Sequence, residues 1–210
     1  MYKATEKDKE IYRKRIIKGA QDYAKYLLNK SFAIVTDDYL TTIVTFKKKE
    51  FLHLTGLLVN IGENKYFELC KAGKISRNNI KNTQRHNKNT LMSKTKNIEK
   101  ITRFIYADAS TNLFLTNFIM ASEPSNPFPC AIENINENMV LAFTGNNLKA
   151  KSLRKHTSNE VYSSSKPIIG IFEIEEAEWT KCIYIRNKQN ILENINHDLF
   201  STNLKNYFHI

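Results

Sequence analysis

The apolar residues of this chain change their spacing along its length, and that change limits the folds open to it. From Thr5 to Asn29, Ile16, Ala20, Tyr23, Ala24 and Leu27 recur every three or four positions with Lys and Arg on the other faces, the pattern of an amphipathic helix. Later segments alternate instead. Phe32–Thr36 and Thr41–Phe46 read as two strands joined tightly through Asp37-Asp38, a hairpin. Leu113–Ala121, Met139–Phe143, Ile168–Ile174 and Cys182–Ile185 are further strand candidates. Between the two regimes, Asn64–Ala72 reads as a short helix closed by Gly73, and Thr90–Tyr106 as a longer one with Leu91, Ile98, Ile101 and Ile105 on one face. Pro124, Pro127 and Pro129 mark a loop, and Asn190–Tyr207 a short helix with an irregular tail. Helices early, strands late and no βαβ alternation predict an α+β fold. The division expected is an N-terminal helix over residues 1–30, an α+β domain over 31–190 and a C-terminal tail over 191–210.

Charge then limits the partners. Among 210 residues, Lys and Arg number 32 against 21 Asp and Glu, a formal net charge of +11. Such a field draws in polyanions, nucleic acid first among them. It is uneven: Lys71–Arg103 holds ten Lys or Arg and one acid, Glu99. Part of the Lys, Asn and Ile content is also what an AT-rich genome supplies. Cys70, Cys130 and Cys182 are too far apart for a zinc set and odd in number, so buried free thiols are expected. With no apolar leader and no membrane-length apolar run, the expected place is the cytoplasm.

The motifs for nucleotide, metal and serine-hydrolase chemistry are absent: no Walker loop, dinucleotide-type glycine turn, paired metal-spaced histidines, CxxC or Gly-x-Ser-x-Gly. Glu173, Glu175, Glu176 and Glu178 crowd before Trp179, a solvated edge or turn rather than a two-metal site. No metal or cofactor is therefore expected. What remains is imidazole, hydroxyl and cationic groups. His53 stands between Leu52 and Leu54, where strand alternation would set Phe51, His53 and Thr55 on one side. A lone His among apolar residues is commonly structural, yet it is also the side chain best suited to proton transfer near neutrality. His86, His156, His197 and His209 have polar neighbours and default to the surface. The run Asn147–His156 carries Lys151, Ser152, Arg154 and His156, which could hold a phosphate or equally form a basic exposed loop or edge strand. Lys94 and Lys96 could line the same groove.

The segment Phe46–Gly56, with its FKKKEFLHLTG sequence, resembles the phage- and mobile-element-associated branch of the Barnase–EndoU–colicin–RelE-like nucleases. The similarity continues through Tyr66–Ser76, and more loosely through the Lys94 helix, Lys151–Arg154 and the strand after Pro167, covering about residues 30–190. The resemblance implies helices packed on a mostly antiparallel four- to five-stranded sheet. It also implies a metal-independent endoribonuclease in which the ribose 2′-hydroxyl attacks the adjacent phosphate. On that basis His53 is the candidate general base or acid, oriented by Thr55. Arg154 and Lys151 form a charge clamp, and Ser152, Lys94, Lys96 and His156 contact the substrate. The target would be RNA, with tRNA within range, in a toxin or phage effector, and such a role admits a neutralising protein partner. A non-catalytic module that binds nucleic acid, or inhibits a nucleoprotein, through the same basic surface is the competing reading.

Overall fold

A computed structural model describes residues 1–120, 123–155 and 160–210, with the side chains of 118–127 and 160–163 left aside. After β1 (Tyr2–Lys3), helix α1 (Glu6–Tyr26) begins at a capping box, in which Thr5 Oγ1 accepts the Asp8 N–H and the Asp8 carboxylate accepts the Thr5 N–H. Its buried stripe, Tyr12, Ile16, Gly19, Ala20 and Tyr23, follows the helical period seen in the sequence. The hairpin β2 (Ser31–Thr36) and β3 (Thr41–Thr45) comes next, and then three helices, α2 (Glu50–Thr55), α3 (Glu63–Lys71) and α4 (Lys88–Asn97). A 3-10 turn (Arg77–Asn79) and β4 (Thr83–Gln84), which pairs with β1, lie between α3 and α4. A second 3-10 segment, Ile98–Phe104, continues α4.

The strands that follow do not make the open four- to five-stranded sheet that the sequence led us to expect. They are β5 (Leu113–Met120), β6 (Glu123–Asn134), β7 (Met139–Thr144), β8 (Lys149–Lys155), β9 (Glu160–Glu175) and β10 (Glu178–Ile185). Among the described residues, seven strands close in the order β9-β2-β3-β8-β7-β6-β5, with β5 pairing back to β9 and β10 flanking β9 outside the ring. Closure depends on the sixteen-residue β9. Its first half pairs with β5 (Glu160 with Met120 through Pro167 with Phe114) and its second half with β2 (Ile168 with Thr36 through Ile174 with Ser31). Two strands of the ring are hard to see in the sequence. β8 turns only Ala150 and Leu153 towards the main core, and its run reads as a basic exposed loop or edge strand. β6 runs through the prolines that predicted a loop, and the ladder accommodates them with register shifts on either side of the Phe118–Phe128 pair.

One ring contact is thin. β3 and β8 are parallel and meet at a single bridge, Thr45 with Lys149. Beyond it β3 gives way to Phe46 and α2, so the edge of β8 past Lys149 faces helices rather than another strand. The core fills the ring and runs into the helical layer. Tyr23 of α1 meets Phe46, Phe51 and Phe67 edge-on at 6.0, 5.4 and 5.8 Å, and Phe46 in turn meets Phe32 and Phe143. Each such pair adds about 1 kcal/mol beyond area burial. The far face of β2 and β9 carries a second cluster of Phe172, Trp179, Phe200 and Phe208, covered by α5 (Lys188–Asn194) and α6 (Thr202–Phe208). The crowded glutamates fall at this end: Glu176 and Ala177 form the β9–β10 turn with φ of 49° and 75°, whereas Glu173 is buried and bonds Lys30 at 2.6 Å. All three cysteines are free; Cys70 and Cys130 are buried, and burial pushes both thiols up to about 12, which leaves them protonated at neutral pH.

Gly19 sets how closely α1 approaches the segment after α4. A Cβ there would stand 2.9 Å from Ile98 Cγ2 and 3.0 Å from the Ile98 carbonyl oxygen. Gly19→Val is therefore expected to cost about 2–3 kcal/mol through overpacking. In thermal unfolding the midpoint should fall by about 5 °C or more; an unchanged midpoint would show that the two elements can move apart freely.

Candidate functional site

The edge of β8 past Lys149 needs partners for its backbone, and a lysine supplies one. Lys94 of α4 is only 8% exposed, and its Nζ donates to the Leu153 carbonyl at 3.0 Å. Its stem passes over Gly56, the residue that ends α2 in the left-handed conformation at φ 68°. A Cβ on Gly56 would lie 2.6 Å from Lys94 Cδ and 3.3 Å from His86 Cδ2, so glycine is required both by the turn and by the close approach. Burial pushes the Lys94 ammonium down to about 8, and the Arg154 guanidinium pushes it the same way.

Arg154 and Ser152 project from β8 on the face opposite Leu153, paired across the ladder with Val140 and Ala142. Ser152 is buried, and its Oγ accepts Arg154 Nε at 2.8 Å; the guanidinium also lies over the Phe128 ring at 5.9 Å. These contacts restrain a long cationic side chain.

His86 joins this group from a strap between β4 and α4. Asn87 caps α4 by accepting the Thr90 N–H at 2.8 Å, which fixes the backbone directly after His86. The imidazole is partly buried, and it is held below its ordinary 6.5 first by that burial and then by the charges of Lys94, Arg154 and Arg85. A group so placed is neutral at physiological pH and free to accept a proton. In the sequence His86 has polar neighbours and a default place on the surface; its position just before a helix cap is the one local signal it carries.

The other expected site residues are distributed differently. His53 does not lie on an alternating strand. It is in the six-residue helix α2, where the helical period buries Phe51, Leu54 and Thr55 and leaves His53 outward, 3.3 Å from Glu63. The Thr55 hydroxyl is engaged elsewhere: it is buried, donates to the Leu52 carbonyl at 2.8 Å and accepts from Tyr66 at 3.3 Å. Lys96 is exposed and, two residues from the buried Lys94, points off another side of α4. Lys151 falls at the β7–β8 register shift and is half-buried. His156 lies outside the described residues. The structure therefore brings Lys94, Ser152 and Arg154 together and adds His86 to them.

Lys94 and Ser152 are buried within this cluster, and His86 is partly buried. Cavities of about 390, 510 and 400 Å³ occur elsewhere, lined respectively around Glu137, Asn60 and Leu115. Among the described residues, no group of three or more His, Cys, Asp or Glu is gathered closely enough to hold a metal ion, and no helix is long and apolar enough to cross a membrane.

No curated protein and no solved structure matches the chain. A family model does, that of the phage-Barnase-EndoU-ColicinE5/D-RelE like nuclease4, over residues 15–168, a span that takes in α2, α4, β8 and every residue of the cluster. With nearly three-quarters of its length matched, the chain belongs to this nuclease family.

Proposed function

We propose that this nuclease cuts RNA without a metal ion, by attack of the ribose 2′-hydroxyl on the neighbouring phosphate, with His86, Arg154 and Lys94 carrying the chemistry. The observation that carries the reading is the buried Lys94. Its hydrogen-bond partner is a neutral carbonyl, and the charge that acts on it is another cation, Arg154. A buried ammonium in that setting favours an anion alongside it. The phosphodiester, whose single negative charge grows towards two over its non-bridging oxygens in the transition state, is such an anion.

In this reading the neutral His86 takes the proton of the 2′-hydroxyl, and the imidazolium formed then has a proton for the leaving 5′-oxygen. Arg154, braced by Ser152, clamps the non-bridging oxygens. Lys94 acts from behind, through its charge and through its hold on the Leu153 carbonyl. His86 is preferred to His53 as the base because it shares Gly56 and the cations with the other groups, while His53 turns outward to Glu63. His53 and Lys151 are left as contacts to the flanking strand. The net charge of +11 would draw in a polyanionic polymer. A role as a toxin or phage effector, in the cytoplasm and with a neutralising protein partner, is compatible with this chemistry.

Incubating the protein with total RNA and labelled tRNA in EDTA should give discrete products with cyclic-phosphate ends. His86→Ala should lower the rate about a hundredfold or more, and His53→Ala far less. RNA that shifts in a gel yet stays intact with the wild type would contradict catalysis and leave a binding module. The reverse order of the two histidine variants would return the base to His53.

The rate should also follow a bell in pH. It rises as His86 loses its proton, below the ordinary 6.5, and falls as Lys94 loses its own near 8. Lys94→Met, which keeps the stem over Gly56 and removes the charge, should lose about a hundredfold in rate together with the alkaline limb. Survival of that limb in Lys94→Met would show that another group titrates there.

A further inference from the structure

The residues that hold His86 in place lie outside the cluster it joins. Gln84, two positions earlier, is fully buried, and its amide is fully engaged. Oε1 accepts the Leu58 N–H at 2.8 Å, while Nε2 donates to the carbonyls of Leu58 at 3.1 Å and Lys81 at 2.6 Å. Leu58 is two residues past Gly56. One side chain thus ties the His86 strap to the exit of α2, the point against which both His86 and the Lys94 stem rest.

The strap is braced from its other side by the start of the chain. Tyr2 pairs with Gln84 and Lys3 with Thr83 in the β1–β4 ladder, and the Ala4 N–H donates to the Asn82 carbonyl at 2.8 Å. Asp8 receives Lys88 Nζ at 2.9 Å and the Tyr2 hydroxyl at 2.6 Å. Lys88 opens α4, two residues after His86. His86 is therefore fastened within two residues on each side, and the brace comes from residues 2–8, which precede the matched span 15–168.

We propose that Gln84 is the positioning residue for His86 and that the segment Tyr2–Asp8 is its brace, an assignment that rests on the reading of His86 as the base. A buried glutamine can also serve only to satisfy loop backbone. Two features point further: its bonds converge on the α2 exit, and the brace reaches the residues flanking His86. Proton transfer demands such support, since a displacement of about 1 Å in a reacting group can cost about a hundredfold in rate.

The test combines an NMR titration of the His86 ring, cleavage kinetics and thermal unfolding for the wild type, Gln84→Met and Lys88→Gln. Lys88 is half-exposed, so Lys88→Gln should fold whatever becomes of Gln84→Met. In Gln84→Met the His86 titration should rise towards 6.5 as the ring leaves its partly buried place. There kcat should fall about tenfold or more with KM within about twofold. Lys88→Gln should move both quantities the same way by less, with its melting temperature nearly unchanged. Lower melting temperatures with an unmoved His86 titration and kcat would overturn the proposal and leave Gln84 a structural residue. Should Gln84→Met not fold, an unmoved titration in Lys88→Gln is the overturning result. Failure of the base assignment is separately visible, because an active His86→Ala rejects that reading while the titration still reports whether the strap holds the ring.

Discussion

The bond from Lys94 to the Leu153 carbonyl is the contact around which this molecule is arranged. A ring closed through one bridge between β3 and β8 leaves the rest of that β8 edge without a strand neighbour, and buried backbone groups require partners. Helix α4 supplies an ammonium there, and α2 ends in a glycine so that the lysine stem can pass. The solution costs desolvation of a charge, and it leaves positive potential directly behind Ser152 and Arg154. In the proposed reading, closing the ring and charging the site are one event, so a fold-level feature and the proposed functional one share the same residues.

Much of the helical layer was legible in the sequence because amphipathic helices announce themselves locally. The stripe of α1, the helix ended by Gly73 and the hairpin of β2 and β3 follow from period and turn chemistry alone. Ring closure was not legible. It depends on β9 bending from β5 to β2, a pairing of residues distant in sequence, and on β6 and β8, whose prolines and lysines hide their alternation. The same limit applies to the site. Lys94, Ser152 and Arg154 stand out as cations and a hydroxyl in a basic protein. His86 gains its meaning only from neighbours brought by α2 and β8. His53 reads in the sequence as part of an alternating strand because a short helix between a strand and a glycine looks like continued alternation.

The ends of the chain contribute unequally to the site. The C-terminal elements seal an aromatic cluster of Phe172, Trp179, Phe200 and Phe208 on the outer face of β2 and β9. The N-terminal segment reaches the strap of His86 through Tyr2, Ala4 and Asp8. Nuclease membership follows from the matched span, and the geometry of this chain adds how a neutral imidazole can be kept beside two cations.

The most direct measurement is a heteronuclear NMR titration with a short oligoribonucleotide whose 2′-hydroxyl at the scissile position is replaced by hydrogen, so that it binds without being cut. The largest shifts should fall on Gly56, His86, Ser152 and Arg154, and the His86 titration should move on binding. Shifts centred on His53 and Glu63, with Gly56 and His86 unmoved, would contradict this expectation.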